Sequence, residues 1–375
     1  MPDILRKPLK YTTAFIKHNA VFCITAVLAL ITCLIIPPDG EYIGYFDFKT
    51  LTCLFCTLAV VCALKNIRFF TILARSIVRK SGTLRTAVTT IIFITFFGSM
   101  LIANDMALLT FLPLGYYVLE AAKKEEWMAY TFILQNIAAN LGGMLTPFGN
   151  PQNLYLYTEF NIPTHEFVEI MFIPFAAATA MILICCLFIS KEKIVLKNEN
   201  NEQIPKLRAS FYIILFALSI IIVFRIIPYW IGLIVILTGI LIADRKALLK
   251  VDYSLLGTFA CMFVFAGNMS RIDFIRDTLS ALLEKNTLIF SALSCQVISN
   301  VPSAVLLSQF TDNYAALLHG VNIGGTGTLI ASLASLITFR EYTSRNPGKT
   351  GYYVGMFSLF NFVFLVVLLF ICSFI

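Results

Sequence analysis

Charged residues are scarce in this 375-residue chain. They make up 13% of it, whereas apolar residues make up 59%. A soluble domain usually carries about a quarter charged residues, so this composition excludes a water-soluble fold. Apolar runs recur from Val21 to Ile375, and no stretch between them is polar enough for a second globular domain. The sequence therefore predicts an all-α polytopic membrane protein with the lipid bilayer as its solvent.

The residues that usually carry enzymatic or metal chemistry are also few. The three histidines, His18, His165 and His319, are far apart, and the pair Cys53 and Cys56 has no second pair or nearby histidine to complete a metal site. The apolar runs contain neither a Ser/His/Asp set nor paired acids. We therefore expect no enzyme, no metal and no cofactor, apart from a possible coupling Na⁺ or H⁺. The net charge is +7, but the basic residues do not form a basic face on a folded domain, which nucleic-acid binding would require. We therefore expect no nucleic-acid partner.

The basic residues predict how the chain is oriented, because they concentrate in cytoplasmic segments of membrane proteins. A basic stretch at residues 6–17 precedes the first apolar run, 21–36, and no small-residue cleavage site follows that run. This places the N-terminus in the cytoplasm of a cell bounded by a cytoplasmic (inner) membrane. A basic amphipathic segment, 65–85, and the polar loop 191–208 are also predicted to be cytoplasmic.

Two segments of the first half are interrupted by polar or helix-breaking residues. Residues 86–122 are apolar except at Asn104-Asp105, and both flanks are basic, so the chain must turn back there, either as two short crossings or as a re-entrant hairpin. Residues 127–157 contain two prolines, three glycines and three asparagines between Asn140 and Asn153, a composition that cannot continue a regular helix. We predict a helix broken at membrane depth.

The second half repeats this order. Residues 287–310 are broken at Ser299-Asn300-Val301-Pro302 into arms of about 12 and 8 residues. At about 1.5 Å per residue neither arm spans a hydrocarbon core of about 30 Å, so this hairpin is predicted to be re-entrant. Residues 317–339 are broken within 320–328, as a second broken helix.

The two broken helices match in sequence. Asn140-Leu141-Gly142-Gly143 corresponds to Asn322-Ile323-Gly324-Gly325, and Thr146 corresponds to Thr328. We therefore predict two repeats, residues 1–190 and 231–375, joined by a cytoplasmic loop and linking helix over 191–230. Because the repeats match, the first hairpin is predicted to be re-entrant like the second, which gives about nine full crossings plus two re-entrant hairpins. Because the number of linking crossings is odd, the repeats are inverted and the C-terminus lies outside.

Irregular backbone at bilayer depth is costly unless it lines a cavity. Helix N-termini suit anions, and carbonyl and hydroxyl oxygens suit Na⁺. Asp105 is the one acid predicted deep in the membrane, where it binds a cation, carries a coupling proton or caps a helix. The broken segments contain no Lys or Arg, which favours a small carboxylate or oxyanion and also permits a Na⁺/H⁺ antiporter that uses Asp105. The amides and hydroxyls predicted to line this site are Asn104, Asn150, Asn153, Ser299, Asn300 and Thr326, with possible Na⁺ ligands at Asn104, Asp105, Ser299 and Asn300.

These motifs resemble those of the ion transporter superfamily, which includes arsenite-efflux, citrate-type and dicarboxylate permeases and one class of Na⁺/H⁺ antiporters. The resemblance rests on residues 103–107, 140–153, 299–302 and 322–335. It implies an ion-coupled secondary transporter that works by elevator-type alternating access, and a homodimer as its assembly. It also adds Gly143, Thr146, Gly325, Thr328 and Ser332 to the expected substrate-binding or ion-binding residues.

Overall fold

The computed structural model describes residues 19–194 and 203–375. The basic stretch at 6–17, His18 and residues 195–202 of the predicted cytoplasmic loop lie outside the described residues. In the described part the regular secondary structure is helical, and one isolated bridge joins Thr83 to Lys193. The helices of the first half are α1 (Ala20–Ile35), α2 (Phe48–Asn66), α3 (Phe69–Val78), α4 (Leu84–Ile102), α5 (Asn104–Ala121), α6 (Met128–Gly142), α7 (Pro151–Glu159) and α8 (Thr164–Leu187).

The second half begins with two apolar helices and continues with the second set of short, interrupted ones. A four-residue helix, Arg245–Leu248, lies between the second and third of its long helices. The helices are α9 (Lys206–Val223), α10 (Tyr229–Ala243), α11 (Tyr253–Ser270), α12 (Asp273–Ile298), α13 (Asn300–Leu307), α14 (Tyr314–Ile323), α15 (Leu333–Arg345) and α16 (Thr350–Cys372).

Six helices of the described chain are long and apolar enough to cross a membrane: α2, α4, α8, α9, α11 and the stretch Pro347–Cys372, which ends in α16. Three shorter apolar helices, α1, α3 and α10, have 10–17 residues. This confirms an all-helical polytopic membrane protein. The count of nine crossings remains a prediction.

Local sequence explains where several helices begin. Thr83 starts α4 with a capping box, in which its hydroxyl and that of Thr86 each bond the other's backbone N–H. Pro151, whose ring fixes a helical φ and whose missing N–H costs nothing there, opens α7. The side chain of Asp252 accepts the N–H of Leu255 at the start of α11.

The two hairpins differ in arm length. In the first, α4 and α5 have 19 and 18 residues, so their length does not by itself require re-entry. In the second, α12 contains a non-helical residue, Asn286, at which an N-terminal arm ends. The carboxamide oxygen of Asn286 accepts the N–H of Ile289 at 2.8 Å and so caps the hairpin arm that follows. That arm and α13, which has 8 residues, are short, as the sequence predicts.

Helices of one half pack on helices of the other in a reciprocal pattern. α4 and α5 contact α6, and α12 and α13 contact α14. Across the halves, α15 packs on α5 and α6, and α7 packs on α13 and α14. Likewise α16 contacts α6, and α8 contacts α14. The centre of the molecule is thus built from both hairpins and both broken helices.

Candidate functional site

The two hairpin tips adopt the same unusual backbone. Ala103 has φ 63° and ψ 154°, and Ser299 has φ 74° and ψ 157°. This region is occupied almost only by glycine, and a residue with a side chain in it costs about 1–3 kcal/mol and is typical of functional sites. This backbone conformation reverses the direction of the chain, so that α5 and α13 each begin at the next residue.

That next residue is an asparagine in both tips, and it caps its own helix. The carboxamide oxygen of Asn104 accepts the N–H of Asp105 at 2.9 Å, and that of Asn300 accepts the N–H of Val301 at 2.9 Å. The oxygen therefore satisfies one of the N–H groups that a helix start leaves unpaired. The amide nitrogens remain for other partners, and the two tips use them differently.

The amide nitrogen of Asn104 is bonded to the first broken helix. It donates to Oδ1 of Asn140 in α6 at 3.0 Å. The residue that corresponds to Asn140 in the second half is Asn322, and its Oδ1 accepts instead from Asn150 and Gln152, at 3.3 and 3.4 Å. Within the described residues, the hydrogen bonds of the Asn300 side chain use Oδ1, and none uses Nδ2.

A cavity of about 820 Å³ brings the two tips together. Among the helices of the hairpins and the broken helices, four have their first residue on its wall: Asn104 of α5, Pro151 of α7, Asn300 of α13 and Leu333 of α15. Each helix N-terminus carries partial positive charge and unpaired N–H groups. Four of them on one cavity create a site that favours negative charge.

Charged side chains line the same cavity. Asp105 and Asp252 are its acids. Asp105 is half-buried, and its Oδ1 has no hydrogen-bond partner among the described residues. The basic residues on the described part of the wall are Lys65, Arg68, Lys250 and Arg340. Sequence reasoning missed these four because they lie outside the broken segments, and only the packing of α2, α15 and the turn before α11 brings them to the tips.

Four of the predicted site residues line the cavity: Asn104, Asp105, Ser299 and Asn300. The remaining eight lie behind it. Two of these, Thr146 and Thr328, fasten each broken helix to its own hairpin, because Thr146 Oγ1 donates to the carbonyl of Met100 at 3.0 Å and Thr328 Oγ1 to that of Gln296 at 3.2 Å.

A cluster of fully buried carboxamides joins the two broken helices. Nδ2 of Asn322 donates to Oδ1 of Asn153 at 2.6 Å, and Nδ2 of Asn150 donates to the carbonyl of Asn140 at 3.2 Å. Nδ2 of Asn153 lies 3.3 Å from the carbonyl of Gly143. These bonds satisfy carbonyls that the break in α6 leaves unpaired, so the cluster holds the irregular backbone in place.

The last predicted residues hold the second broken helix. Ser332 caps α15 by accepting the N–H of Ser335 at 3.2 Å. Thr326 bonds the carbonyl of Ile323 at 2.6 Å. Gly325 leaves room for the second tip, since a Cβ there would lie 3.1 Å from Nδ2 of Asn300.

Sequence reasoning also missed Gln296, which precedes the second tip. Its Nε2 donates to the carbonyls of Gly324 and Thr326, at 2.8 and 3.1 Å, and its Oε1 accepts the N–H of Thr328 at 2.8 Å. A glutamine within an apolar hairpin arm is itself a signal, because a buried amide needs partners. The described residues contain no group of three or more His, Cys, Asp or Glu side chains that could hold a metal ion.

Comparison with known proteins identifies the family. Residues 10–319 match the profile of the family described as citrate transporter (CitMHS). The chain is 34% identical to an uncharacterized transporter of Methanocaldococcus jannaschii over 85% of this chain and 88% of the relative. It is 29% identical to the inner membrane protein YbiR of Escherichia coli over 74% and 75% of the two chains.

A third relative matches over a shorter region. The silicon efflux transporter LSI3 of Oryza sativa is 33% identical over 32% of this chain and 24% of its own length. The expected relationship to the ion transporter superfamily is confirmed by these matches, and so is the expectation that the protein is no enzyme. The chain belongs to the citrate transporter family and is a multi-pass membrane transporter.

Proposed function

We propose that the protein is a secondary active transporter that moves a small anion, a carboxylate or an inorganic oxyanion, across the cytoplasmic membrane. The observation that carries this proposal is the convergence of four helix N-termini, including both hairpin tips, on one cavity. Helix N-termini bind anions without a dedicated cationic side chain.

The description of the matching family agrees with a carboxylate substrate. The matching family is described as citrate transporter, and the rice relative is named a silicon efflux transporter. The first name favours a carboxylate, and the second adds inorganic solutes to those worth testing. Citrate, succinate, sulfate, phosphate and arsenite are therefore the substrates to test first.

The architecture we propose is a pair of inverted repeats, residues 1–190 and 231–375. Three matched features support it. The tips share one strained backbone conformation at Ala103 and Ser299. The hydroxyls of Thr146 and Thr328 make equivalent bonds to the hairpin arms. The reciprocal packing of each second half-helix, α7 or α15, on the opposite hairpin and broken helix is what a twofold relation between repeats requires.

The direction in which the cavity opens follows from its basic residues. Lys65, Arg68, Lys250 and Arg340 belong to segments that the positive-inside rule assigns to the cytoplasm. We therefore propose that the cavity opens to the cytoplasm in an inward-open state, with the N-terminus in the cytoplasm and the C-terminus outside. We propose elevator-type alternating access, in which hairpins and broken helices move as one body, and a homodimer held together by the other helices.

The transport step is proposed to be coupled to Na⁺ or H⁺. Asp105 lines the cavity beside the tip, and its Oδ1 has no hydrogen-bond partner within the described residues. Na⁺ at Asn104, Asp105, Ser299 and Asn300, or a proton on Asp105, would offset the charge of the anion. The same carboxylate favours the second candidate, a Na⁺/H⁺ antiporter that uses Asp105.

One experiment separates the two candidates. The purified protein is reconstituted into proteoliposomes that contain a pH-sensitive dye, and an inward Na⁺ gradient is applied without any of the five test substrates. The transporter proposal predicts that the Na⁺ gradient drives no proton movement in the absence of these substrates. Robust Na⁺-driven proton movement in their absence would establish the antiporter instead.

A further inference from the structure

Two lysines occupy a part of the cavity wall that belongs to neither hairpin nor broken helix. Lys65 lies in the last turn of α2 and is half-buried. Lys250 lies in the turn that leads into α11. Both line the cavity that contains the tips.

Lys250 is held in position along the last turn of α2. The thiol of Cys62 donates to the Lys250 carbonyl at 3.2 Å, and the Lys250 ammonium donates to Oδ1 of Asn66 at 2.7 Å. Asn66 is oriented in turn, because its Nδ2 donates to Asp244 at 2.8 Å. An ammonium has three N–H donors, so the bond to Asn66 leaves two of them for the cavity.

Two acids that neighbour Lys250 in the sequence already accept hydrogen bonds. Asp252 caps α11 through Leu255, and Asp244 accepts from Asn66 and from the N–H of Lys246. Among the described residues, the ion pairs within 4.0 Å include neither Lys65 nor Lys250. Two ammonium groups on one cavity wall, neither with a carboxylate within 4.0 Å among the described residues, favour an anion that supplies the missing charge.

We infer that Lys65 and Lys250 form a second anion station at the inner mouth of the cavity, separate from the hairpin tips. This inference rests on the proposed function. It narrows the substrate class to anions with at least two negative charges. Because α2 and the turn before α11 are not part of the hairpins or broken helices, the station stays in place when the tips move. It receives the anion on release and raises its local concentration before binding.

Uptake of radiolabelled citrate and sulfate tests this inference in proteoliposomes that carry the full chain. The variants are Lys65→Gln, Lys250→Gln and the double substitution. Lys246→Gln is the matched control, since Lys246 is exposed, four residues before Lys250, and does not line the cavity. Loss of one charged hydrogen-bond donor corresponds to about a tenfold weaker affinity.

The station predicts a KM about tenfold higher in each single variant, a kcat close to that of the unchanged protein, and a weaker dependence of KM on salt. Lys246→Gln should keep the original KM. An unchanged KM in the double variant, with transport intact, would overturn the station and leave the proposed function standing.

Failure of the proposed function is recognised separately. If the unchanged protein transports none of the five test substrates, a second measurement tests the station. It is the rise in Tm of the detergent-purified protein on addition of citrate or sulfate. Stabilisation that is lost in the double variant and kept in Lys246→Gln supports two lysines that bind anions. Stabilisation that is absent, or equal in all variants, overturns them.

Discussion

The two hairpin tips have the same backbone conformation and the same helix-capping asparagine. They differ in the hydrogen bonding of that asparagine's amide nitrogen. Asn104 is fastened to Asn140 of the first broken helix at 3.0 Å. Asn300 has no such bond within the described residues, because Asn322 is engaged by Asn150 and Gln152. One tip is therefore braced internally, while the other has an amide available to the cavity. Similar residues at equivalent positions thus make different contacts.

The largest expected effect is on transport in Asn300→Ala. This substitution removes the available amide and the cap of α13 and leaves Asn140 and Asn322 untouched. We expect uptake of the substrate to fall at least about a hundredfold, while the folded fraction after size-exclusion chromatography stays near that of the unchanged protein. Asn313→Ala, which removes the cap of α14 away from the cavity, is the control and should transport normally.

Asn104→Ala should differ from Asn300→Ala in that it also lowers the stability of the folded protein. It leaves Oδ1 of Asn140, which is 2% exposed, without its partner. An unsatisfied buried acceptor costs about 1–3 kcal/mol. Thermal unfolding of the two purified variants should show a lower Tm for Asn104→Ala than for Asn300→Ala. The opposite order would mean that the first tip is not the braced one.

The matched glycines offer a second contrast. A Cβ on Gly143 would lie 2.5 Å from Oδ1 of Asn150 and 2.8 Å from the carbonyl of Gly149, whereas a Cβ on Gly325 would lie 3.1 Å from Nδ2 of Asn300. The Cβ on Gly325 would also lie 3.2 Å from the carbonyl of Asn322, but contacts of 3.1 and 3.2 Å are relieved by shifts of a few tenths of an ångström. The contact of 2.8 Å at Gly143 instead requires the backbone to move. We expect Gly143→Ala to lower the yield of folded protein, and Gly325→Ala to fold and raise the KM. Equal folded yields from the two variants would contradict this difference.

Asp105→Asn should have the smallest effect on substrate binding and a distinct effect on coupling. The amide keeps the size of the side chain and removes its charge. We expect substrate-induced thermal stabilisation to persist, while uptake no longer responds to Na⁺ or pH gradients. Asp252→Asn, which alters the acid that caps α11 on the same cavity, is the control. Full gradient dependence in Asp105→Asn would assign that residue a structural role.

Much of the fold could be predicted from the sequence because membrane-spanning helices are recognisable as long apolar runs. The tips at Asn104 and Asn300 and the breaks after Asn140 and Asn322 were visible as polar or glycine-rich interruptions. The cationic part of the cavity was not. Lys65 and Lys250 lie in different segments of the chain, and only the packing of the turn before α11 on α2 brings them together.

The distinction between the two tips also needed the structure. Both contain an asparagine before a helix, and no rule of spacing tells which amide nitrogen is used. The choice depends on whether Asn140 or Asn322 is already engaged by Asn150 and Gln152, residues that follow the break in the first half and reach across to the second. Such a contact between halves is set by tertiary packing.

The central claim is that the tips bind a small anion in the cavity of four helix N-termini. The most direct measurement is uptake of the five tracers, citrate, succinate, sulfate, phosphate and arsenite, by proteoliposomes containing the unchanged protein or Asn300→Ala, each with and without Na⁺ and pH gradients. We predict that at least one of the anions accumulates in a gradient-dependent manner and that Asn300→Ala abolishes this accumulation. Normal accumulation in Asn300→Ala would contradict the account.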